Sequence, residues 1–209
     1  RAAPADLASP GVNCLVVFAH PLPDSLNGRF LKLVLSELEA AGHDITLLDL
    51  YRLDFDPRLS VAERSVHYDN DAARRIAHDH ARLLEAADAL VLVFPTWWFG
   101  LPAILKGWFD RCLGPGIGFR HADTKGGPRE PALTRLRHFV AFTTLGSPWW
   151  IDNFVMWQPV RRMLKIAIGK GCAPQARFAY LALHGAEDLD AARVAAHETK
   201  IRRVLAGLD

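Results

Sequence analysis

Residues 14–27 read CLVVFAHPLPDSLN, an apolar run that passes through a short proline-containing loop into a helical pattern. Residues 14–19 contain no charged or amide side chain, which is typical of a central parallel strand buried on both faces. From residue 27 to 42 the apolar period becomes that of an amphipathic helix, and Gly42 supplies the stop. The segment therefore predicts a strand–loop–helix unit of an α/β fold.

The same alternation continues towards the end of the chain. Further strands are predicted at residues 45–50, 89–94, 139–143 and 178–183, and further helices at 71–87, 101–113, 155–168 and 187–206. Residues 54–70 are interpreted as a surface excursion and 114–131 as a structured loop. Five strands separated by helices predict a parallel sheet wound on both faces, and this number favours the flavodoxin-like order 2-1-3-4-5. In such sheets ligands bind beyond the carboxyl ends of the strands.

Composition limits the classes of protein and partner. The length of 209 residues and the apolar fraction of 50% predict one domain, residues 12–209, after a mobile leader at 1–11. The 25 basic and 23 acidic residues are scattered, which disfavours a nucleic-acid partner. No apolar run reaches the roughly 18 residues that span a bilayer, so membrane insertion is not expected. Three cysteines without a CxxC pair disfavour a disulfide framework, and a cytoplasmic protein without a metal site is expected.

The loop after the first predicted strand, residues 20–27, lacks the GxGxxG pattern of a classical dinucleotide-binding turn. It places Ser25 and Asn27 at the start of a helix, where backbone N–H groups without intrahelical partners favour a phosphate. The alternative is that Ser25 only caps the helix and the loop binds nothing.

The loop after the third predicted strand reads FPTWWFGLP over residues 94–102. Its consecutive aromatic residues Trp97, Trp98 and Phe99 cannot all point into the core, and exposed aromatic side chains at a strand end are typical of a binding site. A planar isoalloxazine ring accounts for this arrangement. Core packing or a dimer contact is the alternative.

The loop after the fourth predicted strand reads TTLGSPWW over residues 143–150. Its small residues allow the backbone to approach a ligand closely, and Trp149 and Trp150 add a second aromatic wall. Elsewhere the chain has no Gly-x-Ser-x-Gly elbow. His78 and His80, two apart on a predicted helix, are expected to be solvated on different faces rather than to bind a metal.

Together, residues 20–27, 94–110 and 143–146 resemble the NAD(P)H:quinone oxidoreductases of the DT-diaphorase type and the related ancillary flavoproteins of potassium-efflux systems. The resemblance extends from about residue 12 to the C-terminus, and the stretch WFGLPAILKGWF at 98–109 is highly specific. It implies an enzyme that passes hydride from NAD(P)H through a flavin to a quinone or similar small acceptor by a ping-pong cycle. It also implies FMN, with FAD as the alternative, and a homodimer in which the partner chain completes the site.

The resemblance assigns roles to the residues of the three loops. The flavin phosphate and ribityl chain would be held by His20, Ser25, Leu26 and Asn27. The isoalloxazine would lie along Pro95, Thr96, Trp97, Trp98 and Phe99, with its N1/O2 edge at Thr143, Thr144, Leu145 and Gly146. The substrate pocket would be lined by Trp149, Trp150 and Phe119.

The chain departs from the family at two places. The Tyr and His that follow the Thr-Thr-Gly stretch in the animal quinone reductases are absent from residues 147–154, and Phe119, Arg120 and His121 replace the gating tyrosines. Three other functions remain open: a single-electron carrier of the flavodoxin type, a regulatory flavoprotein of a membrane transporter, and an azo- or nitro-compound reductase. Flavodoxins usually have an acidic surface, whereas this chain has a net charge of +2.

Overall fold

The computed structural model describes residues 11–122 and 127–208, and the leader predicted at 1–11 lies outside them except for Gly11. The strands are β1 (Asn13–Phe18), β2 (Asp44–Asp49), β3 (Ala89–Pro95), β4 (Phe119–Arg120), β5 (Glu130–Pro131), β6 (His138–Leu145) and β7 (Arg177–His184). Five of them form a parallel sheet in the order β2-β1-β3-β6-β7, whereas β4 and β5 pair antiparallel. The five predicted strands and their flavodoxin-like order are therefore confirmed.

Helices cover both faces of this sheet. They are α1 (Leu26–Ala40), α2 (Val61–Ser65), α3 (Asn70–Ile76), α4 (Asp79–Ala86), α5 (Ala103–Cys112), α6 (Pro159–Arg162) and α7 (Ala191–Leu205), with π-helical segments at Ile151–Val155 and Met163–Lys170. On one face Phe30 of α1 and Ile201 of α7 pack against Val16 and Val91. On the other face Leu84 of α4 and Trp108 of α5 belong to a second buried cluster with Leu15 and Leu92. The strand ends are thus fixed between two packed layers.

Two predicted helices are interrupted. The helix predicted at 71–87 is divided into α3 and α4, because Ala77 and His78 have extended backbone conformations with ψ values of 142° and 146°. The helix predicted at 155–168 is not continuous, because Trp157 and Gln158 have left-handed φ values of 57° and 50°. The excursion predicted at 54–70 contains α2, which begins with a capping box between Ser60 and Glu63.

The expectation that His78 and His80 are solvated on different faces is wrong. His78 is the N-cap of α4 rather than a residue inside a helix, and its ring contacts that of His80 edge-on with 4.3 Å between the centroids. Both rings contact Phe55, with centroid distances of 5.2 and 5.5 Å. Burial lowers the pKa of both groups, that of His80 to about 4.

The structure also bears on membrane insertion, metal binding and the state of the cysteines. In the part of the chain that it describes, no helix is both long and apolar enough to cross a membrane, and no three potential ligands are grouped to hold a metal ion. The thiols of Cys14, Cys112 and Cys172 are free and buried, and burial raises the pKa of each. None of these thiols is therefore poised as a thiolate nucleophile.

Candidate functional site

The loop between β1 and α1 ends in a capped helix start. Ser25 Oγ accepts a hydrogen bond of 3.1 Å from the backbone N–H of Gly28, as an N-cap residue does. Among the residues that the structure describes, none accepts a hydrogen bond from the backbone N–H of Leu26 or Asn27. These two donors and the positive end of the helix dipole suit an anion, and the Ser25 hydroxyl can still donate its own proton.

Asn27 connects this loop to the end of β6. Its side chain is 2% exposed, and Nδ2 donates a hydrogen bond of 2.9 Å to Thr144 Oγ1. Asn27 Oδ1 is buried without a hydrogen-bond partner. Since a buried acceptor without a donor is costly, Oδ1 is suited to receive a hydrogen bond from a bound molecule.

The ends of β3 and β6 are also joined to each other. Thr96 Oγ1 and Thr143 Oγ1 are 2.8 Å apart, and the Thr96 backbone N–H donates to the carbonyl of Thr144 at 2.8 Å. Thr96, Thr143 and Thr144 are all buried. Together with the Asn27–Thr144 hydrogen bond, these contacts connect the three loops that the sequence predicts as the ligand site. We name residues 20–27, 94–102 and 143–150 the joined loops.

The turn after β3 is a two-residue hairpin loop. The Trp97 N–H donates to the carbonyl of Gly100 at 3.1 Å, and the Gly100 N–H donates back to that of Trp97 at 2.8 Å. The central residues Trp98 and Phe99 have φ values of 51° and 54°, as in a type I′ turn. Such turns favour Asn and Gly, and left-handed aromatic residues cost about 1–3 kcal/mol each. The strained turn leaves Trp98 fully exposed at the edge where a ligand is expected.

His20 lies beside this turn. Its Nδ1 is 3.0 Å from the Leu22 nitrogen and 3.1 Å from the Leu22 oxygen, so the loop backbone orients the ring. The ring centroid is 6.0 Å from that of Trp97. Burial lowers the pKa of His20, and the hydrogen bond to Leu22 offsets this only in part. A neutral imidazole is therefore favoured at this position.

Three residues of the predicted site face the core instead. Pro95 ends β3, Leu145 ends β6, and both are buried, while Leu26 packs against the cluster beneath α1 and α7. Their side chains stabilise the strand ends and the helix start. Pro95 and Leu145 can contact a ligand at the strand ends only through backbone atoms, whereas the half-buried Leu26 keeps part of its surface accessible.

The segment after β6 carries several large exposed side chains. Trp149, Trp150, Phe154 and Trp157 are each at least 50% exposed. We name residues 149–157 the aromatic segment. Just before it, Gly146 is exposed and Ser147 Oγ is buried without a hydrogen-bond partner. The segment therefore presents aromatic surface next to the joined loops.

Sequence reasoning missed a polar group beneath the aromatic segment. Asp152, 3% exposed, places Oδ2 3.0 Å from Nε2 of His184 at the end of β7. On the same strand, burial and the nearby Asp152 carboxylate raise the pKa of Tyr180. The sequence did offer a signal for His184. It directly follows the fifth predicted strand, so it had to lie at the edge of the sheet where a ligand is expected. No local pattern distinguishes Asp152.

The structure does not bring Phe119 together with Trp149 and Trp150. Phe119 follows α5, which runs from the ligand edge to the opposite edge of the sheet. Its ring lies 5.3 Å from His121, and the Arg129 guanidinium lies 4.8 Å above it. Phe119 also lines a cavity of about 690 Å³ bounded by Phe109 and other residues. This cavity is separate from the joined loops.

The fold and the joined loops at its ligand edge define a class of protein. Residues 12–204 match a family model described as flavodoxin-like fold, and the chain belongs to this family. The chain is 36% identical over 162 residues to the ribosyldihydronicotinamide dehydrogenase-like protein traD of Penicillium crustosum, covering 67% of this chain and 59% of that protein. It is 34% identical over 125 residues to the mouse ribosyldihydronicotinamide dehydrogenase [quinone], covering 52% and 54%. The match thus spans little more than half of each relative.

A solved structure extends the likeness in fold. The FMN-dependent NADH-azoreductase of Bacillus anthracis, in complex with FMN, superimposes with a TM-score of 0.74. The alignment covers 94% of this chain and 99% of the azoreductase. At 16% identity it shows a shared fold only.

Proposed function

We propose that this chain binds FMN across the ends of β1, β3 and β6 and passes hydride from NAD(P)H to a quinone or a related small acceptor. The observation that carries the proposal is the Asn27–Thr144 hydrogen bond, which joins two of the three loops and leaves Asn27 Oδ1 buried without a donor. A polar ligand at the strand ends satisfies that acceptor.

The chemistry of the available groups fits FMN. The free N–H groups of Leu26 and Asn27 suit its phosphate. The unpartnered Asn27 Oδ1 and Ser147 Oγ suit ribityl hydroxyls, and exposed Trp97 and Trp98 suit the apolar ring. When bound, the flavin supplies hydride chemistry, and the protein positions it and excludes water.

The relatives and the solved neighbour support this activity class. The mouse relative is a dehydrogenase with quinone in its name, and the Bacillus anthracis neighbour contains FMN on the same fold. The neighbour is an azoreductase, so azo compounds belong with quinones among the acceptors to be tested. FMN is preferred to FAD because the same neighbour contains FMN.

Placement of the aromatic residues supports a homodimer. Trp149 and Trp150 are exposed at the ligand edge, whereas Phe119 lies near the opposite edge of the same chain. A second copy that covers the aromatic segment can bring its own Phe119 to the substrate pocket. This arrangement accounts for large exposed tryptophans and retains Phe119 as a pocket residue.

Anaerobic stopped-flow absorbance tests the activity. The FMN-loaded protein is mixed with NADH or NADPH and then with benzoquinone. Rapid bleaching of the flavin band followed by rapid reoxidation, without a persistent one-electron species, is the expected result. A flavin that binds but stays oxidised with both nicotinamides indicates a carrier or regulatory role. Failure to bind any flavin overturns the proposed site.

A further inference from the structure

His184 and Asp152 form a partly buried pair at the ligand edge of the sheet. His184 ends β7 opposite Leu145 of β6, and Asp152 lies in the π-helical turn that follows β6. The 3.0 Å contact joins His184 Nε2 to Asp152 Oδ2, and the two side chains are 16% and 4% exposed. Since a buried carboxylate needs a partner, Asp152 holds Nε2 as an N–H donor. This leaves Nδ1 as the second functional nitrogen of the ring.

Tyr180 of β7 lies close enough to this pair to interact with it electrostatically. Tyr180 lies four residues before His184 on β7, so both side chains point to the same face. Asp152 and Thr96 both influence the pKa of the Tyr180 phenol. Burial and the negative charge of Asp152 raise the pKa of Tyr180. Tyr180 therefore remains a neutral phenol at neutral pH.

The proposed reaction consumes one proton, which assigns a role to the His184–Asp152 pair. NAD(P)H delivers a hydride, and a quinone needs that hydride plus one proton to become a hydroquinone. We propose that His184, positioned by Asp152, supplies this proton, an inference that rests on the proposed function. The imidazolium N–H bond breaks as the hydroquinone O–H bond forms, and neutral His184 regains a proton from water. Its 16% exposure gives it access to solvent.

The charged and titratable groups around His184 come from β7 and α7 as well as from Asp152. From its own strand it shares the site with Tyr180, whose pKa is also influenced by Arg161. From α7 the Arg193 guanidinium donates to the His184 carbonyl oxygen at 2.8 Å. His197 of the same helix interacts electrostatically with His184, but burial lowers the pKa of His197 to about 4, so it is neutral. Asp152, at 3.0 Å from Nε2, is the carboxylate in contact with the His184 ring.

The first test separates the two half-reactions of the FMN-loaded protein. In His184→Gln, reoxidation by benzoquinone should slow about 100-fold at low pH, while reduction by NADH is unchanged. The wild-type reoxidation rate should fall with rising pH, whereas the variant should show no such dependence. Added imidazole should restore part of the rate. The control His43→Gln changes a histidine before β2, at the opposite edge of the sheet, and should behave as wild type.

The second test does not depend on flavin. Nitrogen-15 NMR of the flavin-free protein should show His184 with its proton on Nε2, and Asp152→Asn should abolish this preference. Asp152→Asn should also flatten the pH dependence of reoxidation. If His184→Gln does not fold, Asp152→Asn still tests the inference.

The outcomes separate the inference from the proposed function. If the wild-type protein does not turn over with NAD(P)H and benzoquinone, the proposed function fails and the inference fails with it. If the wild type turns over and His184→Gln keeps the wild-type pH profile, only the inference fails. An equal slowing of both half-reactions also overturns it, because it indicates a structural role.

Discussion

Asn27 Nδ2 donates a hydrogen bond of 2.9 Å to Thr144 Oγ1, across 117 residues of sequence. Asn27 belongs to the first turn of α1 and Thr144 to the last residues of β6. The bond therefore fixes the helix start that would receive a phosphate relative to the strand end that would receive the flavin ring. Both partners are buried, so water does not readily replace either one.

Replacing Asn27 by Ala should lower FMN affinity about 10-fold, as expected for loss of one or two hydrogen bonds of about 1 kcal/mol. Fluorescence titration of the flavin-free protein with FMN measures the change. The matched control is Asn13→Ala, because Asn13 Nδ2 bonds the Ala86 carbonyl at the opposite edge. Equal affinities of the two variants would contradict the assignment of Asn27.

Replacing Trp98 by Ala should weaken flavin retention more than replacing Trp157 by Ala. Trp98 is the fully exposed residue of the strained turn after β3, and Trp157, 67% exposed, lies in the break before α6. The flavin-to-protein absorbance ratio of the purified variants measures retention. Equal ratios would show that Trp98 is not part of the flavin site.

Replacing Gly28 by Ala should distort the candidate phosphate loop. A Cβ at Gly28 would lie 1.9 Å from the backbone oxygen of Pro23, so the loop must move away from α1. FMN affinity should fall, and thermal unfolding should show a loss of about 1–3 kcal/mol from overpacking. Gly171→Ala is the control, because no atom lies within 4 Å of a Cβ there. Unchanged FMN binding by Gly28→Ala would show that the loop does not hold the phosphate.

Stability should decrease on acidification below about pH 6.5, partly because of His80. Burial lowers its pKa from 6.5 to about 4, so the unfolded chain binds a proton that the folded chain does not. The contribution of neutral His80 to folding stability is present above pH 6.5 and is lost as the pH falls towards 4. His80→Phe, which keeps the ring on Phe55, should reduce the slope of melting temperature against pH in this range. An unchanged slope would show that His80 does not contribute.

Dimerisation should depend on the aromatic segment. Trp149→Glu places a charge on a side chain that is 57% exposed, and it should convert a dimer into monomers in analytical ultracentrifugation. Leu53→Glu, at a residue 53% exposed in the β2–α2 loop, is the control. A wild-type monomer with full quinone reductase activity would contradict a site completed by a second copy.

Sequence periodicity determined the five strands and the loops where a ligand should bind, and the number of strands favoured their order. These depend on local patterns, namely apolar runs for buried strands, a period change for helices, and crossover helices that require parallel pairing. The positions of Asn27, Thr96 and Thr144 at the ligand edge follow from the same topology. Their hydrogen bonds do not, because a contact across many residues depends on how the helices pack on the sheet.

Only the tertiary structure decided the remaining features. The edge-on contact between the His78 and His80 rings depends on a helix break that propensity did not indicate. The distance of Phe119 from the tryptophans depends on the direction of α5 across the sheet. Asp152 and His184 meet because the π-helical turn folds back over β7, and 32 residues separate them in the chain. Such pairs have no sequence period, since each forms only when two independently placed elements pack together.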